Sequence, residues 1–99
     1  MDRHAEKMQR VVEAALDGPG ELGPGVRQAI AEERHEEAPP ALRPYLEKVA
    51  HQAYRVTDED IQALRRAGLS EDQIFEATVA AALGAGLERL RAGLAALGE

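Results

Sequence analysis

Residues 54–97 read YRVTDEDIQALRRAGLSEDQIFEATVAAALGAGLERLRAGLAAL, and this stretch decides the fold. Thr57 is a good helix N-cap, and Asp58, Glu59 and Asp60 put negative charge on the first turn, where the helix dipole favours it. Val56 before the cap and Ile61 at the fourth helical position are placed to form a hydrophobic staple. Gly68 supplies the left-handed residue that ends this helix. Leu69 can then fold back on Leu64, while Arg65 and Arg66 face the carbonyl end of the dipole. Ser70 caps a second helix, with Gln73 completing a capping box and Leu69–Ile74 a second staple. Each junction is worth on the order of 1 kcal/mol. Together they predict two helices joined by a tight Gly68-Leu69-Ser70 turn.

The second of these helices is expected over about 71–97, roughly 40 Å long at a rise of about 1.5 Å per residue. A compact domain of this size has a radius of gyration near ~13 Å. The rod therefore either breaks at Gly84 or Gly86, or packs its far end on another subunit. No charged residue occurs from Ala77 to Leu87, which implies burial all round. Glycine inside a helix costs about 1 kcal/mol against alanine, so Gly84, Gly86 and Gly93 call for a reason, and close approach of two helix backbones supplies one. These points predict a homo-oligomer assembled through residues 71–97; an Ala-rich core helix of a monomer is the plainer reading.

Working outward, Met8, Val11, Val12, Ala15 and Leu16 recur at helical spacing and predict an amphipathic helix over about 3–16. Gly18-Pro19-Gly20 stops it, and Pro24 opens a second helix expected over about 24–36. Pro39-Pro40 marks the next break. A third helix starts there or at Pro44 and runs to about Ala53, with Leu42, Tyr45, Leu46, Val49 and Ala50 on one side. The expectation is one all-α domain over 1–99 with about five helices, the last two forming an antiparallel-type hairpin.

Composition agrees. Hydrophobic residues are 44% of the 99, but aromatics only 3%, so the core must be built of Ala, Leu, Val and Ile, which suits close helix packing. The chain has no cysteine, which removes disulfides, thiolate metal sites and thiol catalysis. A formal net charge of −6 disfavours phosphate backbones and anionic lipid. No segment approaches the ~20 apolar residues of a membrane span, and the charged start leads into no apolar signal region. A cytoplasmic protein without membrane or nucleic-acid partners is expected.

The Gly-Leu-Ser turn, the Ile74-Phe75-Glu76 after it and the Ala/Gly-rich helix that follows resemble the helical core of the alkylhydroperoxidase D-like and carboxymuconolactone decarboxylase families, over roughly residues 39–97. The redox-active relatives carry a Cys, a second Cys three residues on and a His four further on, at a fixed distance before that turn. The corresponding positions here are Ala53, Val56 and Asp60. Neither Ala nor Val can attack a peroxide or exchange a disulfide. The resemblance thus implies a redox-silent member without thiol peroxidase or disulfide reductase activity.

Other residues invite chemistry. Glu47 lies one helical turn before His51, so carboxylate and imidazole share a face, and Tyr54 follows one short turn on. The decarboxylase branch implies cofactor-free acid–base chemistry that such a trio could serve; an ordinary helix-surface pair is the plainer reading. Glu32 and His35 have the Glu-x-x-His spacing of di-iron bundles, but such sites need two copies and two further Glu, and a solvated helix end is the plainer reading. The helix–turn–helix spacing of Leu64, Gly68 and Ile74 suggests DNA binding. The helix that would enter the groove opens Ser70-Glu71-Asp72-Gln73, however, and has no Lys or Arg before Arg89, so no counterion release would drive it. Phosphate cradles, serine-hydrolase elbows and zinc signatures are absent, and no metal or cofactor is expected. Two functions follow: a non-redox, homo-oligomeric module that binds a small molecule or serves as an accessory, or an acid–base enzyme using Glu47 and His51.

Overall fold

The described residues form five α-helices: α1 (Arg3–Asp17), α2 (Pro24–Ala31), α3 (Arg43–His51), α4 (Asp58–Arg66) and α5 (Glu71–Ala96). Short 3-10 turns at His35–Glu37, Pro40–Leu42 and Ala53–Arg55 link them. They are seen in a computed structural model that describes the backbone of residues 3–98 and the side chains of residues 6, 7 and 9–98, with no strand among the described residues.

Both predicted junctions form. The Thr57 hydroxyl accepts from the Asp60 N–H, and the Asp60 carboxylate accepts from the Thr57 N–H at 2.9 Å. Ser70 and Gln73 make the same reciprocal pair. At the end of α4, Gly68 takes φ +98°, the Leu69 N–H donates to the Leu64 carbonyl and the Gly68 N–H to that of Arg65. This is the Schellman ending. Val56, Ile61 and Leu69 all pack, half-buried, against the core.

The core is aliphatic. Ile30, Leu42 and Leu46 are fully enclosed, and Tyr45, Val49, Leu64, Ile74, Ala77, Ala80 and Ala81 surround them. α5 lies across α2 and α3. Its alanines bring the helices close, and Gly84 sits directly on the Ala31 backbone, where a Cβ would collide with the Ala31 carbonyl.

A buried arginine of α2 and a half-buried carboxylate of α5 each fasten the α1–α2 loop through its backbone. Arg27 is only 3% exposed and donates to the carbonyls of Ala15, Gly18 and Leu22. Glu76, on α5, accepts from the backbone N–H groups of Glu21 and Leu22, each at 2.9 Å. Burial pushes the Glu76 carboxyl up, but those two donors and the nearby Arg27 guanidinium outweigh it and hold the group below the usual carboxylate range.

Several expectations need correction. α2 stops at Ala31 rather than near residue 36 because Glu33 adopts φ +60°, a left-handed step that no α-helix continues through. α3 starts at Arg43 with Pro44 in its first turn and ends at His51, not Ala53. α5 does not break at Gly84 or Gly86. Within the single chain its middle is covered on one side: Ala77, Ala80, Ala81 and Ala85 are buried, whereas Ala82 and Gly86 are exposed and Leu83 and Leu87 half-exposed. Gly84 has its reason in α2 of the same chain, while Gly86 and Gly93 face open space. On α1, Leu16 is buried and Val11 is 64% exposed; the side chain of Met8 lies outside the described residues.

Candidate functional site

Glu47 and His51 do share one face of α3, with Glu47 Oε1 3.7 Å from His51 Nε2. The other Glu47 oxygen lies 3.1 Å from Nδ1 of His35, and Glu33 Oε1 reaches His51 Nε2 at 3.0 Å. Two carboxylates and two imidazoles thus meet where the 32–37 stretch crosses α3. With Glu47 ionised, its contact with His35 places the proton on Nδ1. That leaves His35 Nε2 buried with no partner among the described residues, an arrangement that costs about 1–3 kcal/mol. The cluster is open on the other side: the side chains of His51 and Glu47 are 52% and 66% exposed. In contact with bulk water they gain little from mutual orientation. Tyr54 does not join them. It sits in the 3-10 turn after α3, 86% exposed.

Glu32 and His35 are not on one face. The left-handed Glu33 turns His35 inward, and Glu32 pairs instead with Gln28 at 2.6 Å and Arg34 at 2.8 Å. The hydrogen bond from Gln28, then that from Arg34, lowers the Glu32 carboxyl pKa. Among the described residues no group of three or more His, Cys, Asp or Glu is arranged to hold a metal ion. Sequence reading missed Glu33 and His35 as partners of α3 because their contacts depend on a loop conformation that no periodicity encodes.

A second feature, an open one, lies between α3 and α5. A cleft of about 340 Å³ is lined by Val49, Ala53, Val56, Ala82 and Ala85, with Tyr45, Thr78 and Arg89 as its polar members. The Tyr45 and Thr78 hydroxyls are hydrogen-bonded at 2.7 Å, and Thr78 donates onward to the Ile74 carbonyl. Arg89 spends one of its five N–H donors on the Ala50 carbonyl at 3.2 Å. Ala53 and Val56 therefore line one open cleft. Asp60 stands apart from it, bonded to Lys48 at 3.0 Å. The Thr57 N–H, then Lys48, holds the Asp60 carboxyl below its ordinary pKa. Arg89 was the cleft residue hardest to find by sequence, since only the packing of α5 on α3 aims it there.

On the other flank of α5 a groove runs beside α1. Its most apolar part is lined by Val11, Val12, Ala82, Leu83, Gly86 and Leu90. From Glu88 to Gly98 every residue is exposed, so the last turns of α5 project beyond the body of the chain. No helix among the described residues is long and apolar enough to cross a membrane.

Comparison of the chain with protein-family models, with curated proteins and with solved structures found no match.

Proposed function

We propose that the protein is a redox-silent, self-associating helical module of the carboxymuconolactone decarboxylase-like type that holds a small molecule in the α3–α5 cleft. The observation that carries this reading is the cleft itself. Its walls are aliphatic, its polar members are a hydroxyl pair and one guanidinium, and the positions that would hold thiols are filled by Ala53 and Val56. Such a lining suits a small apolar molecule with one anionic or carbonyl end, orienting that end on Arg89. Benzoate is a suitable probe, followed by amide chemical shifts. Shifts centred on Val56, Thr78, Ala82 and Ala85, weakened about tenfold by Arg89→Ala, are expected. Shifts confined to other surfaces, or none, would remove the cleft as a binding site.

The alternative, a cofactor-free acid–base enzyme using Glu47 and His51, is favoured by one observation: a single carboxylate touches two imidazoles. Full turnover of any identified substrate by the His51→Ala variant would eliminate it.

A further inference from the structure

Resting on that self-association, we infer that two copies of this chain pair through antiparallel α5 helices, with the two-fold axis at Gly86. Phe75, Val79, Ala82, Gly86, Leu90, Gly93 and Leu97 follow one another at steps of 4, 3, 4, 4, 3 and 4 residues, which keeps all seven on a single helix face. That face lies opposite the one bearing Ala77, Ala81 and Gly84 against the core. It is uncovered: Phe75 is 68% exposed, Leu90 44% and Leu97 78%.

The occupant follows from size and charge. Turning the helix about Gly86 sets Leu90 against Ala82, Val79 against Gly93 and Phe75 against Leu97, while Gly86 meets its own copy. Large side chains then fall opposite small ones, and the backbones can close at the two open glycines. A parallel pair would stack Phe75 on Phe75 and Leu90 on Leu90, holding the helices apart where Gly86 and Gly93 meet their copies. No charge lies among the seven. Glu88 and Arg91 pair with each other at 3.2 Å on the far side of the helix, and Arg89 is held on Ala50. Two chains of formal charge −6 can therefore meet along this line without bringing like charges together.

The geometry also uses the overhang. From Phe75 to Leu97 the seam is roughly 33 Å long, and each projecting end lies over the body of the other chain. The groove beside α1 flanks this seam on one side and the ligand cleft on the other. Ala82 belongs to both seam and cleft, so Leu90 of the second copy would roof the ligand site.

The absence of native cysteine makes the test direct. Full-length Val79→Cys and Gly93→Cys chains are mixed, allowed to exchange subunits and oxidised with diamide, and sedimentation equilibrium is run on the unmodified chain. Ala82→Cys with Leu90→Cys is the second pair, should the first perturb folding. A disulfide is expected only in each mixture, since two copies of residue 93 lie roughly 21 Å apart in the pair. Self-cross-linking of Val79→Cys would make the pairing parallel and overturn the inference. An oligomer without any of these cross-links would place the interface elsewhere, leaving self-association intact. A monomer would end both readings.

Discussion

Gly84 of α5 rests on the backbone of Ala31, so close that any side chain at 84 meets the Ala31 carbonyl. That carbonyl belongs to the last turn of α2 and cannot retreat far without disturbing the left-handed exit at Glu33. Gly84→Ala is therefore expected to destabilise the chain by about 2 kcal/mol, against the small gain that alanine brings elsewhere in a helix. Gly86→Ala, in open space, is expected to raise the stability of the single chain by about 0.5–1 kcal/mol while weakening self-association. Urea denaturation of the two variants at low concentration checks the contrast; equal effects at both positions would contradict it.

Arg27 from α2 and Glu76 from α5 hold the α1–α2 loop from two sides. Arg27→Met removes the donor from three carbonyls, that of Ala15 in the last turn of α1 and those of Gly18 and Leu22 in the loop, a loss expected at about 3 kcal/mol. Glu76→Gln keeps one acceptor oxygen but not the charge, and should cost less, about 2 kcal/mol. Gly20 is part of this arrangement, since a Cβ there would lie 2.5 Å from Glu76 Oε1. Chemical denaturation of the two variants ranks them, and a harmless Arg27→Met would show that the loop is fastened by something else.

Acid should loosen the same contacts. The carboxyls of Glu76 and Asp60 have folded-state pKa values below their ordinary ones, so the folded state binds fewer protons than the unfolded state. Their stabilisation is present above the unfolded values, about 4.3 for Glu and 3.9 for Asp. It disappears as pH falls through the lower folded values. The melting temperature is expected to hold near neutrality and to drop below about pH 4.5, with a shallower drop in Glu76→Gln. An identical acid profile for that variant would show that Glu76 is not linked to folding.

His51 and Tyr54 lie in solvent. Replacing His51 by Ala, or Tyr54 by Phe, should change stability by under about 0.5 kcal/mol, whereas Glu47→Ala, which removes the part-buried contact with His35, should be felt more. Thermal melts of the three variants give the order.

The two junctions around α4 were legible because capping is local: Thr57 needs only Asp60, and Ser70 only Gln73 and the glycine before it. The same holds for the all-helical character, carried by spacing and by the scarcity of aromatics. The early end of α2 was not legible, since nothing in Glu32-Glu33-Arg34 announces a left-handed residue. Nor was the joint hold of Arg27 and Glu76 on the loop, which exists only once α5 has crossed α2. The candidate trio was legible in part: helical spacing joined Glu47 to His51, but α3 ends at His51 and leaves Tyr54 outside. Periodicity found the charge-free run of α5 but could not apportion it between the chain's own core and an open face.

The pairing inferred for α5 depends on that open face being covered by a second copy. Sedimentation equilibrium of the purified chain at about 100 µM, above the micromolar-to-picomolar range of standard-size interfaces, addresses it most directly. The account predicts an even multiple of the 10.7 kDa chain mass, shifted toward the single-chain value by Leu90→Glu. A mass of 10.7 kDa for the unmodified chain under those conditions would contradict it.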